Sequence, residues 1–391
     1  MISQKIIKWL NYQKKKHHLS VKVINLDKIS QWIFNNSIIY HKSKKFFKIT
    51  GIEVSSNLYK KNWDQPIIIQ KEVGILGIVK NKKTNKYLLQ AKVEPGNINK
   101  LQLAPTVQAT KSNYSRVHGG LKVPYIEYFL KIKNIKKYNQ SEQGFRYYRK
   151  FNSNILITTT KNLKKTPNHY WFKKEEIMSL LKKKNIINMD VISIFSSSLN
   201  KKKIDKPINS IFKIKKWLIK FNKKYFIKTK LVKLSKLKNW KLSNINIKHK
   251  KLKHFSVLGI KVKTNKREVN NWQQPIVKGK SMAFAGLIKT QINDTEHYLF
   301  RCLLKPGLKK SVFGCTIHTS DISIYNRKKL NSLEKYFFSK REKKNITYEN
   351  ILSDEGGRFY HCQIKYCISQ IDADKINYLP NNFIWLSYNQ I

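Results

Sequence analysis

Short apolar runs bounded by turn-forming residues recur along the chain. Gly74-Ile-Leu-Gly-Ile-Val-Lys80 and Lys86-Tyr-Leu-Leu-Gln-Ala-Lys-Val93 flank the polar stretch Asn81 to Asn85, a pattern that predicts a β-hairpin. Asn154-Ile-Leu-Ile-Thr-Thr-Thr160 is a further β-branched run and predicts a strand. After Pro167 the period changes. Between Lys173 and Lys184, Ile177, Met178, Leu180 and Leu181 fall near helical spacing, with Glu175 and Glu176 early and Lys182 to Lys184 late, the charge order a helix dipole favours. The unit predicted is α+β, rich in strands and closed by a helix, with the Ile and Leu of these runs as its core.

The same pattern then repeats. Phe47-Lys-Ile-Thr-Gly51 corresponds to Phe255-Ser-Val-Leu-Gly259, and Asn62-Trp63-Asp64-Gln65-Pro66 to Asn271-Trp272-Gln273-Gln274-Pro275. Glu94-Pro95-Gly96 corresponds to Lys305-Pro306-Gly307, Ser141-Glu142-Gln143-Gly144-Phe145-Arg146-Tyr147 to Ser353-Asp354-Glu355-Gly356-Gly357-Arg358-Phe359, and Tyr170-Trp171 to Ile384-Trp385. The offset grows only from 208 to 214 across the blocks, which indicates duplication with small loop insertions. Two modules follow: 1–195, with an N-terminal helical segment, and 210–391. The Ser- and Lys-rich stretch 196–209, ending near Pro207, reads as the linker.

Composition changes little of this picture. The 391 residues are 41% apolar and 12% aromatic, enough for a packed core. The formal charge is +58, yet 72 of the 80 cations are Lys, scattered end to end and accompanied by abundant Asn and Ile. Codon drift in an AT-rich genome produces that profile, whereas readers of phosphate and bases lean on clustered Arg. Nucleic acid is therefore not the expected partner, and a basic nucleic-acid-binding protein stands only as the second alternative. Cys302, Cys315, Cys362 and Cys367 form no CxxC pair and read as reduced thiols. Met1 to Leu10 is too broken for a signal sequence, and no run approaches a membrane span. A cytoplasmic protein with no membrane partner is expected.

The most unusual composition lies between Gln90 and Tyr125, dense in Gln, Thr, Ser, Asn, Tyr, Arg and His. Uncharged donors and acceptors of this kind suit a ligand with many hydroxyls, such as a sugar, although a well hydrogen-bonded turn region would read the same way. The candidate contacts are Gln90, Gln102, Thr106, Gln108, Asn113 and Arg116, with Trp63 and Gln65 from the repeated Trp-x-Gln-Pro block. Arg146 and Arg358 occupy matching positions of the two halves and are candidates for diphosphate binding or for packing between modules. For acid–base work the candidates are Glu94, held before Pro95 and Gly96, and Tyr114 and His118, four residues apart around Arg116. Each has a plain rival: Glu94 as a turn cap, His118 as a core hydrogen-bonder, and Asp354-Glu355 as the partners of Arg358.

WDQPIIIQKEVGILG, LLQAKVEPGN, QLAPTVQATKSNYSRVHGG and SEQGFRYYRKFNSN in the first half, with REVNNWQQP and SDEGGRFYH in the second, resemble the NDP-hexose 2,3-dehydratases from about Leu26 to Trp385. The resemblance implies a homodimer of subunits with tandem Nudix-hydrolase-like modules, each a mixed β-sheet flanked by helices. It also implies a lyase that eliminates water across C2 and C3 of a dTDP-4-keto-6-deoxyhexose in deoxysugar biosynthesis. No REXXEE-like run is present and acids number only 22, so the reaction is expected to need no metal and no cofactor. Four positions depart from the family pattern: Lys305 and Cys315, where an acid and a Pro are usual, and Val191 and Ile192, where Arg and Thr are usual. The fuller polar set thus lies in the first module, and a catalytically degraded nucleotide-sugar binder is the first alternative.

Overall fold

The computed structural model describes residues 3–391 except 118, 132–136, 162, 198–200, 252–253, 327 and 377. Each half opens with an amphipathic helix, Gln4–Lys16 or Ile211–Lys224. Both are capped by a serine: Ser3 Oγ accepts from the Ile6 amide and Ser210 Oγ from that of Lys213, satisfying donors a helix start leaves open. Both end in lysines that complement the dipole. Ile6 and Leu10 dock the first helix on its own half, among Leu103, Phe172 and Val191. Ile214 docks the second beside Ile384 and Leu386.

The next strand of each half then crosses over. Leu19–Ile24 pairs antiparallel with Phe255–Thr264 of the second half, Val21 opposite Val262, while Ile227–Val232 pairs with Lys48–Ser56 of the first, Thr229 opposite Val54. The halves thus exchange their first strands reciprocally, and each completes the small sheet of the other. Both small sheets then pack on one shared core. It is built in equivalent pairs, Leu26 with Leu234, Phe47 with Phe255, Ile68 with Val277 and Tyr147 with Phe359. Each such side chain contributes about 1.5–3 kcal/mol through burial.

The second sheet of each half is larger and mixed. Gly74–Asn81 and Lys86–Val93 form the expected hairpin, Val79 opposite Leu88. Gly74–Asn81 also runs parallel to Phe151–Thr159, which contains the predicted run from Asn154. In the second half, Ala283–Ile292 likewise pairs antiparallel with Thr295–Leu303 and parallel with Gln363–Gln370. The expected helix is found over Lys174–Leu181. It stops before the lysine run, and Glu176 accepts from the Lys173 amide at its start. The helix Met189–Ser196 reaches the first residue of the predicted linker. Residues 201–209 form neither helix nor strand and are tied to the second half by Lys206 N to Thr295 Oγ1 and Ile208 N to His297 Nε2.

Two glycines fix how the halves meet. Gly96 N donates to Gly356 O and His361 N to Gly96 O, both at 2.8 Å. In the mirror contact, Gly307 N donates to Gly144 O and Arg149 N to Gly307 O, both at 2.7 Å. A Cβ on Gly96 would stand 1.8 Å from Phe359 O, and one on Gly307 1.7 Å from Tyr147 O. The Pro-Gly turn of each half is therefore set into the opposite half, and Glu94 arrives beside residues 354–358.

Candidate active site

Glu94 ends the strand Lys86–Val93 and is buried. Its Oε1 accepts from Gln108 Nε2 at 3.2 Å and its Oε2 from Asn188 Nδ2 at 3.3 Å. Asn188 is also the N-cap of Met189–Ser196, its Oδ1 accepting from the Asp190 amide. One side chain therefore starts a helix and anchors the carboxylate. Lys92, two residues upstream on the same strand face, donates to Gln108 O at 3.2 Å and Gln108 Oε1 at 3.1 Å, with Glu94 Oε1 at 4.0 Å. Burial lowers the Lys92 pKa, and Arg267 lowers it further.

Acids from both halves face this pair. A Cβ placed on Gly357 would lie 3.0 Å from Glu355 Oε1 and 3.8 Å from Glu94 Oε1, so both carboxylates border one small space. Tyr147 OH donates to Glu355 Oε2 at 2.7 Å. Burial, then the Glu355 charge, raises the Glu142 pKa to about 8. Burial, with Glu142, Glu355 and Glu94 adding to it, raises Asp190 well above the usual range, and burial also raises Glu355. Glu142 therefore keeps its proton at neutral pH, and burial pushes Asp190 and Glu355 toward their neutral forms. Tyr147 remains a phenol, raised by burial and by Glu355. Lys150, lowered by burial, donates to Glu72 O, and Asn152 donates to Glu142. On the far rim Arg267 Nη1 reaches Val93 O at 2.9 Å and Nε pairs with Glu268 at 3.1 Å. Burial opposes ionisation of Glu268, yet Arg267 and Lys92 outweigh it and hold that carboxyl at about 2.

In a chain so short of acids, this convergence is the strongest chemical feature. Carboxyls poised to hold or release protons beside a buried ammonium and a phenol can run general acid–base chemistry. Among the described residues, no group of three or more His, Cys, Asp or Glu is arranged to hold a metal ion. A cavity lies next door. It is a groove of about 700 Å³ whose lining includes Lys44, Lys45, Lys48, Lys71 and Lys111 with Tyr40 and Phe46. Glu72 lines it too, and joins it to the acid pocket through Lys150.

Of the residues singled out in the sequence, Glu94, Gln102 and Gln108 belong to this pocket. Others are engaged elsewhere. Trp63 Nε1 donates to Gln65 Oε1 and Gln65 Nε2 to Phe145 O, and Trp272 and Gln274 repeat the arrangement toward Gly357 O. The same bonding in both halves accounts for the pair as a brace. Gln90 Nε2 straps Pro105 O, and Thr106 Oγ1 bridges Leu88 O and Val79 N within the sheet. Asn113 closes a capping box with Thr110. Tyr114 packs on the core around Val107 and Phe129, and exposed Arg116 donates from Nε to Gly120 O. His118 lies outside the described residues. Arg146 lies over the Phe255 ring at 4.0 Å and Arg358 over Phe47 at 4.2 Å, each a packing contact across the halves.

The departures lie in the second half and in the first-half core. Lys305 takes the place of Glu94 in the second half, near Arg301, Cys315 and His318. Burial first, then Lys305 and Arg301, lowers the His318 pKa to about 4. Val191 is fully buried in the first-half core, with Ile192 packed against it. Sequence reasoning passed over Lys92, Glu142, Tyr147, Lys150, Asp190, Arg267 and Glu268 as site residues. The one available signal was the scarcity of acids.

Compared with known proteins, the family model described as NDP-hexose 2,3-dehydratase matches residues 3–197 and again 212–391. A protein of Saccharopolyspora spinosa named dTDP-4-dehydro-6-deoxy-alpha-D-glucopyranose 2,3-dehydratase is 30% identical over 98% of this chain and 85% of its own length. Proteins of the same name from Amycolatopsis orientalis and Streptomyces violaceoruber are 29% and 28% identical, over 100% and 90% of this chain and 86% and 83% of their own lengths.

Proposed function

The chain belongs to the NDP-hexose 2,3-dehydratase family, and on that premise we propose that the Glu94 pocket eliminates water across C2 and C3 of a dTDP-4-keto-6-deoxyhexose. The C4 ketone acidifies the C3 hydrogen. Glu94, steadied by Gln108 and Asn188, takes that proton, and the electron pair moves onto the C4 oxygen as an enolate. The enolate returns the pair to form the C2=C3 bond as the C2 hydroxyl leaves, carrying a proton from the Glu142, Asp190 and Glu355 group as water. The 3-enol then takes a proton at C2 and becomes the 3-ketone. Atoms balance with one water lost, and no external oxidant or reductant enters. The observation that carries this reading is the facing of Glu94 and Glu355 across Gly357, with protonated Glu142 beside them.

The nucleotide diphosphate would lie along the lysine-lined groove, joined to the sugar site at Glu72 and Lys150. Each half is read as a Nudix-like unit adapted to acid–base work without a metal, and the protein as a homodimer in solution. Light scattering checks the dimer, and turnover unchanged by a chelator checks the metal-free chemistry. Substituting Glu94→Gln or Glu142→Gln is expected to lower kcat by about 10²–10⁴-fold, the usual worth of a general base or acid. Turnover of the ketosugar by the purified variants, near that of the parent, would remove these roles.

A further inference from the structure

We infer that Lys92 and Gln102 together hold the C4 oxygen of the ketosugar as it takes up negative charge. The inference rests on the dehydratase reading of the pocket and adds to it an oxyanion site. Lys92 on Lys86–Val93 stands opposite Gln102 on Leu101–Ala104, and residues directly opposite on adjoining strands project to the same face. Lys92 is only 7% exposed, one of two buried lysines among the described residues, the other being Lys150 of the same pocket. Gln108 occupies two of the three directions in which its ammonium can donate. Gln102 is 2% exposed, and neither its amide nitrogen nor its carbonyl has a hydrogen-bond partner among the described residues. A primary amide buried with both ends idle is rare in a folded protein, and it implies a partner that arrives from outside.

The duplication supplies an internal control. Leu303 faces Val312 at the corresponding positions of the second half. The fold is therefore content with two apolar side chains here, and a buried ammonium beside an unpaired amide serves something other than folding. The place is right for the chemistry. A base that removes the C3 proton and a cation that receives charge on the adjacent C4 oxygen must stand close together, and Glu94 Oε1 is 4.0 Å from the Lys92 ammonium. A ketone oxygen accepts two donors, one from each of these side chains. Such donors act most strongly where water is excluded.

The test uses full-length protein and dTDP-4-keto-6-deoxyglucose carrying hydrogen or deuterium at C3. Lys92→Met is expected to lower kcat by roughly 10²–10³-fold, the loss typical of one oxyanion donor. KM should stay within about threefold, and the C3 isotope effect on kcat should rise as proton removal becomes limiting. The double variant Lys92→Leu with Gln102→Val installs the second half's own pair and should keep the parental melting temperature while losing turnover. Parental kcat in Lys92→Met, a change in KM alone, or an unfolded double variant would overturn the inference while leaving the dehydratase reading intact. A wild-type protein that returns the ketosugar unchanged would overturn both.

Discussion

The proposed pocket depends on a carboxyl that keeps its proton. Glu142 ionises near the ordinary carboxyl range in the unfolded chain and only at about 8 when folded, where burial and Glu355 oppose its charge. Its contribution to stability is thus complete below the ordinary range and is lost as pH rises toward about 8. Thermal unfolding of Glu142→Gln should show a flatter loss of stability than the parent between pH 5 and 8, and identical slopes would refute the assignment. At this scale the sequence was partly legible. Glu94, Gln102 and Gln108 stood out because the segment around them resists the drift to Lys and Asn. Lys92 did not, because one more lysine among 72 carries no signal. Glu142 and Glu355 were hidden for another reason: each acquires its role only through contact with the opposite half. Arg116 and Asn113 show how loop polarity can be spent locally, since those side chains bond within their own turn.

Strands and turns carry the pocket through the exchange of Leu19–Ile24 and Ile227–Val232. The hairpin, the strand from Asn154 and the closing helix followed from period and charge order, whereas the parallel pairing of that strand did not. The exchange did not, since a strand has the same alternation in its own sheet as in the duplicate's equivalent sheet. The Pro-Gly turns show how tightly the halves are keyed. Gly96→Ala forces a methyl against Phe359 O and displaces the segment that bears Glu94. A loss on the order of 4 kcal/mol or more is expected, as for other changes that overpack a closed contact. Denaturant titration reads the loss, and a stability within about 1 kcal/mol of the parent would mean that the turn is not held as described.

Across the whole molecule, duplication has left two comparable places with opposite chemistry. Around Glu94 the first half gathers carboxyls, an ammonium and amides, and borrows Glu355 and Arg267 from the second. Around Lys305 the second half presents Arg301, His318 and a thiol, with Leu303 where the first has Lys92. One catalytic pocket per chain is expected on the proposed reading, built by both halves but located in the first. The most direct check compares Glu94→Gln with Lys305→Met on dTDP-4-keto-6-deoxyglucose in deuterated water, with water loss and deuterium at C2 of the product followed by mass spectrometry. Lys305→Met should turn over within about threefold of the parent and yield C2-deuterated product, while Glu94→Gln returns the ketosugar almost untouched. Parental turnover by Glu94→Gln, or a loss confined to Lys305→Met, would contradict the account.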